Sequence, residues 1–198
     1  VFHSHFWRDI REAMKKGQKV TGCERCYQEE DASKVSLRER YNRHPILGLN
    51  TIDVDHPQLA WLEIPFSNLC NLACRMCDSR YSTKWVKDEE VVFGKLKGQN
   101  KVITFNWSGF EKLAKNLKHI KITGGEPLLD PNHLKFLDYL INDGSAENIF
   151  LNYSTNMTIL PSQEVQERWA KFQKVELALS LDSCYEEELN YIRYPSNG

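Results

Sequence analysis

Cys70, Cys74 and Cys77 stand in the stretch Cys70-Asn71-Leu72-Ala73-Cys74-Arg75-Met76-Cys77, a C-x3-C-x2-C spacing. Thiolates so spaced are soft donors for iron or zinc. Three of them can hold three irons of a cubane and leave the fourth iron open, the usual mark of a catalytic metal centre. With a fourth donor from elsewhere, the same thiols would close a structural zinc site. A second segment, Ile122-Thr123-Gly124-Gly125-Glu126-Pro127, has adjacent glycines. They let main chain approach a ligand closely, or they serve a strand-to-helix turn shaped by Pro127 and Asp130. Gly22-Cys23-Glu24-Arg25-Cys26-Tyr27 adds a C-x2-C pair, which can bind zinc, be redox active or do nothing.

These residues need elements to hold them. After residue 57, short apolar runs alternate with amphipathic ones, which predicts parallel strands joined by helical crossovers. Strands are expected at Leu59 to Phe66, His119 to Thr123, Asn148 to Ser154 and Val175 to Leu181. Helices are expected near Ser79 to Phe93, Ser108 to Leu117, Pro131 to Asn142, Ser162 to Phe172 and Tyr185 to Ile192, with Gly94 to Asn106 a loop. The cysteine triplet follows the first strand and the Gly-Gly segment the second. Ser154-Thr155-Asn156 and Ser180-Leu181-Asp182 end the third and fourth. All four segments therefore share the edge where (β/α) barrels place their chemistry. Ahead of them, Phe2 to Lys16 reads as a helix ended by Gly17, Tyr27 to Asn42 as a second, and Pro45 to Pro57 as a connector.

The triplet, the Gly-Gly-Glu-Pro segment and the strand order resemble the radical S-adenosylmethionine (radical SAM) superfamily over residues 57 to 194. The resemblance implies a partial (β/α)6 barrel over residues 58–198, preceded by a small helical, cysteine-containing segment over residues 1–57. It implies Cys70, Cys74 and Cys77 as ligands of a 4Fe-4S cluster, with Gly124, Gly125 and Glu126 lining the site for the amino group of S-adenosylmethionine. Met76 stands where the family usually has an aromatic residue against adenine, and a thioether can pack on a purine face. Ser154, Asn156, Ser180 and Asp182 would face the ribose hydroxyls or the carboxylate; Asn156 and Asp182 also suit turn or N-cap positions.

The implied activity is reductive cleavage of S-adenosylmethionine to a 5'-deoxyadenosyl radical that abstracts hydrogen, with a flavodoxin or ferredoxin as electron donor. The stretch from Ile10 to Glu30, with Ser36-Leu37-Arg38, resembles the end of a SPASM/twitch-type auxiliary-cluster module. Cys23 and Cys26 would then be ligands of an auxiliary iron-sulfur site, or of zinc, with further cysteines upstream. Such modules tilt the expected substrate toward a peptide or protein over a sugar or small metabolite. The reading from another class is a metal-binding module without catalysis.

Composition narrows the field without choosing a substrate. Five of the six cysteines fall in the two clusters, which is metal spacing and not a disulfide framework. Cys184 reads as a buried or idle thiol, and Trp7, Trp85 and Trp169 as packing residues. A net charge of -1 with mixed signs indicates neither a nucleic-acid patch nor a membrane face. No apolar run is long enough to span a bilayer and no signal-peptide pattern opens the chain, so the expected location is the cytoplasm. The lack of an initiating Met and the stop at Gly198 point to a longer parent chain.

Overall fold

The computed structural model describes residues 3–43, 53–94, 110, 114 and 116–195. The chain forms two compact units, Val1–Ala60 and Trp61–Gly198.

In the first unit, helix α1 (His5–Lys15) stops where Gly17 turns left-handed at φ 72°. The expected second helix is two: α2 (Glu24–Asp31) and α3 (Leu37–Asn42). Ser33 breaks it at φ 56°, and the Ser36 side chain accepts from the Glu39 amide, restarting the helix with its own N-cap. Glu30 braces the turn by accepting from Ser36 Oγ and pairing with Arg38. Residues 44–52, which include most of the Pro45 to Pro57 connector, lie outside the described residues.

The second unit is built on a parallel sheet of β1 (Trp61–Pro65), β3 (His119–Thr123), β4 (Phe150–Thr155) and β5 (Lys174–Leu179), in the order β1-β3-β4-β5. Pro65 pairs with Thr123, Ile122 with Tyr153, and Thr155 with Leu179, so the C-terminal ends of all four strands share one edge. This is a mixed α/β fold consistent with part of an α/β barrel. Buried and half-buried residues alternate along β3, while β4 is buried at Phe150, Leu151, Tyr153 and Thr155. Helix α5 (Asn132–Asn142) covers the sheet with His133, Phe136, Leu137 and Leu140, an i, i+3, i+4, i+7 stripe. Phe136 meets Phe66 edge-on at 5.0 Å between ring centres and Phe110 at 5.1 Å. Each such buried side chain contributes about 1.5–3 kcal/mol relative to exposure.

Two shorter helices of the unit are α6 (Gln163–Trp169), capped by Ser162, and α7 (Glu186–Ile192). The expected helix from Ser79 starts late, as a 3-10 turn (Thr83–Trp85) leading into α4 (Val86–Phe93). Residues 78–82 instead form turns, with Ser82 Oγ donating to the Leu72 carbonyl. The expected loop from Gly94 and most of the expected Ser108–Leu117 helix lie outside the described residues. A two-residue ladder was not expected: β2 (Ala73–Cys74) pairs antiparallel with β6 (Arg193–Tyr194). No described helix is long and apolar enough to cross a membrane.

Under the sheet, α5, β4 and α6 meet in one polar cluster. The Tyr153 hydroxyl bonds His133 Nε2 at 2.8 Å and accepts from Trp169 Nε1 at 2.9 Å. Burial drives the His133 pKa from 6.5 down to about 4; Asp130 opposes that fall and Arg168 adds to it. Burial likewise raises the Tyr153 pKa. Because the folded imidazole value lies below the unfolded one, the unfolded chain binds more protons between pH 6.5 and 4. The stability tied to neutral His133 is complete above about pH 6.5 and is lost as pH falls toward 4, by up to about 3 kcal/mol. Denaturant melts of the apo protein across this window should show the loss, and His133→Phe should flatten that part of the profile.

Candidate active site

The cysteine loop leaves β1 at Phe66, and a first set of hydrogen bonds ties it to the residues that follow it. Asn68, buried, donates through Nδ2 to the Ser79 carbonyl at 2.8 Å, and its own carbonyl accepts from the Thr83 amide. The Cys77 amide donates to the Cys74 carbonyl at 2.9 Å, and Trp85 Nε1 donates to the same oxygen at 3.0 Å. Trp85 thus positions the loop as well as packing. Ser79 is tied to Glu89 of α4 through both its amide and its hydroxyl.

This frame brings Cys70, Leu72 and Cys74 into one buried cluster, with half-buried Cys77 packed against it. The sulfurs have few polar neighbours. Leu72 N lies 3.5 Å from Cys70 Sγ, Asn156 Nδ2 lies 3.8 Å from it, and Arg193 Nη1 is 3.7 Å from Cys74 Sγ. Burial raises the Cys70 pKa; burial, then the neighbouring Cys74 and Cys70, lift Cys77 to about 11. Three thiolates here repel one another in a low-dielectric pocket and call for a cation among them. The donor set fits an iron-sulfur cluster. Among the described residues no three His, Cys, Asp or Glu side chains are arranged to hold a single metal ion.

The Gly-Gly segment packs on this loop. Gly125 N donates to the Ser67 carbonyl and Glu126 N to the Leu69 carbonyl, each at 2.8 Å. A Cβ at Gly124, whose φ is 119°, would lie 2.5 Å from the Ser67 carbonyl oxygen, and one at Gly125 would overlap that of Leu69. The close approach that requires glycine is therefore to the cysteine loop's own main chain, a nearer reason than approach to a ligand. Glu126, only 1% exposed, accepts from Thr155 Oγ1 and the Leu128 amide through Oε1, and from the Asn156 amide through Oε2. Its carboxylate is spent on holding the rim together. Asn156 in turn donates to Asn71 Oδ1 at 3.0 Å.

Of the other residues singled out, Met76 is 58% exposed beside the cysteines. Ser154 and Ser180 are half-buried on the rim, with the Ser180 amide bound to the Thr155 carbonyl. Asp182 is paired through Oδ2 with Arg193, so that oxygen is already engaged.

A model of the Radical SAM superfamily matches residues 64–197. The chain belongs to the radical SAM superfamily. It is an enzyme of that type, and the family implies a 4Fe-4S cluster and cleavage of S-adenosylmethionine by radical chemistry. No curated protein matches the chain. Two residues of this radical SAM core were not marked in the sequence: Arg193, whose contact with Cys74 spans 119 positions, and Trp85, read as packing alone.

In the first unit Cys23 is the N-cap of α2 and Cys26 lies one turn on, both half-buried and free. The Tyr27 hydroxyl accepts from the Val20 amide, with Lys19 and Arg38 over its ring. Cys184 is exposed.

Gly125→Ala should move the cysteine loop itself, so thermal melts and iron analysis should both register it. The melting temperature should drop and cluster loading should fall with it. Full loading alongside impaired S-adenosylmethionine binding would return the glycine to ligand approach.

Proposed function

We propose that Cys70, Cys74 and Cys77 carry the cluster of this radical SAM enzyme, and that it modifies a peptide or protein. The observation that carries the first part is the meeting of all three thiols in one side-chain cluster beyond the C-terminal end of β1. When bound, the reduced cluster supplies the electron that splits S-adenosylmethionine into methionine and a 5'-deoxyadenosyl radical able to take hydrogen from a substrate. The chain's own residues set the conditions. Buried Cys70, Leu72 and Cys74 exclude water, and the Leu72 amide lies beside the Cys70 sulfur. Exposed Met76 offers a soft, flexible surface for the adenine. The Gly124–Glu126 turn lines this part of the rim, Ser154, Asn156 and Ser180 supply polar groups for the amino acid part and the ribose, and Asp182 is held by Arg193. A flavodoxin or ferredoxin supplies the electron.

The peptide reading rests on residues 1–57 as part of a SPASM/twitch-like module. Its support is the half-buried Cys23 and Cys26 one helical turn apart, at the start of a helix whose far end is tied to the next by Glu30, Ser36 and Arg38. In that module the pair contributes to an auxiliary cluster.

Anaerobic reconstitution with iron and sulfide, followed by reduction and assay for 5'-deoxyadenosine, tests the first part. Wild-type protein should form the nucleoside. Cys70→Ala, Cys74→Ala and Cys77→Ala should each abolish it together with the iron-dependent absorbance. Stoichiometric zinc in place of iron with the triplet intact defeats the assignment.

The auxiliary site has a separate measurement. With any flanking sequence retained, iron above four per chain should disappear when Cys23 and Cys26 are both changed to Ala, while cleavage of S-adenosylmethionine persists. Iron that never exceeds four, or an excess that survives the double change, removes the module and the peptide inference with it.

A further inference from the structure

We infer that Arg193 is a positioning residue for the cluster: held by Asp182, its guanidinium presents an N–H to the Cys74 sulfur and biases the cluster toward its reduced state. This rests on the cluster assignment to Cys70, Cys74 and Cys77.

The arginine is placed from both ends. Its main chain is locked opposite Cys74 in the β2–β6 ladder. Next to that pair, the Arg75 amide donates to the Ile192 carbonyl at 2.9 Å and Arg75 Nε to the Tyr191 carbonyl at 2.6 Å. The Arg75 guanidinium also stacks on the Tyr191 ring at 3.6 Å, so residues 191–194 are clamped to the cysteine loop. At the far end of the side chain, Nε donates to Asp182 Oδ2, which leaves Nη1 directed at Cys74 Sγ at 3.7 Å. The Arg193 side chain is only 15% exposed, which limits screening of its charge by water.

A fixed cation on a ligand sulfur acts on the electron balance in one direction. Reduction adds a negative charge to the thiolate-bound cluster, and a hydrogen bond from a cation to the sulfur stabilises the more negative state. Of the groups on the three sulfurs, the Leu72 amide and Asn156 are neutral donors, whereas Arg193 brings a full charge. Asp182 fixes the direction of the fork and offsets part of that charge without touching the sulfur.

The test compares wild type with Arg193→Gln, Arg193→Lys and Asp182→Asn after reconstitution. It reads iron content, the cluster midpoint potential by redox titration followed with paramagnetic resonance, and circular dichroism. Arg193→Gln should keep the iron but lower the potential. At the wild-type midpoint its reduced-to-oxidised ratio should fall about tenfold, equivalent to about 59 mV for a one-electron couple. Arg193→Lys should recover part of the shift, and Asp182→Asn should move the potential with the fold unchanged. Loaded Arg193→Gln at the wild-type potential overturns the inference. So does loss of iron in Arg193→Gln with wild-type potentials in the other two variants, because the arginine is then only structural. If wild-type protein takes up no iron at all, the cluster assignment has failed, and this inference falls with it.

Discussion

Everything on the rim depends on two main-chain hydrogen bonds, from Gly125 N to the Ser67 carbonyl and from Glu126 N to the Leu69 carbonyl. A net contribution of about 1 kcal/mol each is modest. Their effect is geometric. They dock the cysteine loop, which leaves β1, on the turn that leaves β3, at a separation that excludes any Cβ at residues 124 and 125. Parallel pairing of β1 with β3 brings the two strand ends level, and the glycines convert that neighbourhood into contact.

Glu126 extends the clasp to the third strand. A carboxylate buried to this degree needs donors around it, and the end of β4 supplies two: the Thr155 hydroxyl and the Asn156 amide. Fixed in this way, Asn156 reaches back to Asn71 and toward Cys70. The network therefore runs from β3 through β4 and returns to the cysteine loop, so the sulfur positions answer to three strands at once. Below it, the buried Phe66, Phe136 and Tyr153 keep the sheet and α5 from shifting against each other.

The four parallel strands were legible because each is a short apolar run bounded by turn residues, and the observed ends differ from the expected ones by two residues at most. The cysteine triplet and the Gly-Gly turn were legible by spacing. Reasons that depend on tertiary proximity were not. Nothing local distinguishes a glycine that admits a ligand from one that admits a neighbouring loop, and Glu126 reads as a ligand-facing acid until its three donors are seen. Arg193 and β6 left no periodic signal, since a two-residue ladder has no pattern to detect. The break between α2 and α3 was available in Ser36-Leu37-Arg38-Glu39, a capping box inside an apparently continuous helix.

The β2–β6 ladder also bears on the order of assembly. Cys74 and Arg193 are 119 positions apart, so their pairing closes a long loop for only two residues per strand. Closure of that length is entropically unfavourable and such pairs form late in folding. During synthesis the cysteine loop and its clasp to β3 emerge well before the arm that covers Cys74. The contact of Arg193 with Cys74 is thus among the last parts of the cysteine loop's surroundings to be completed as the chain folds.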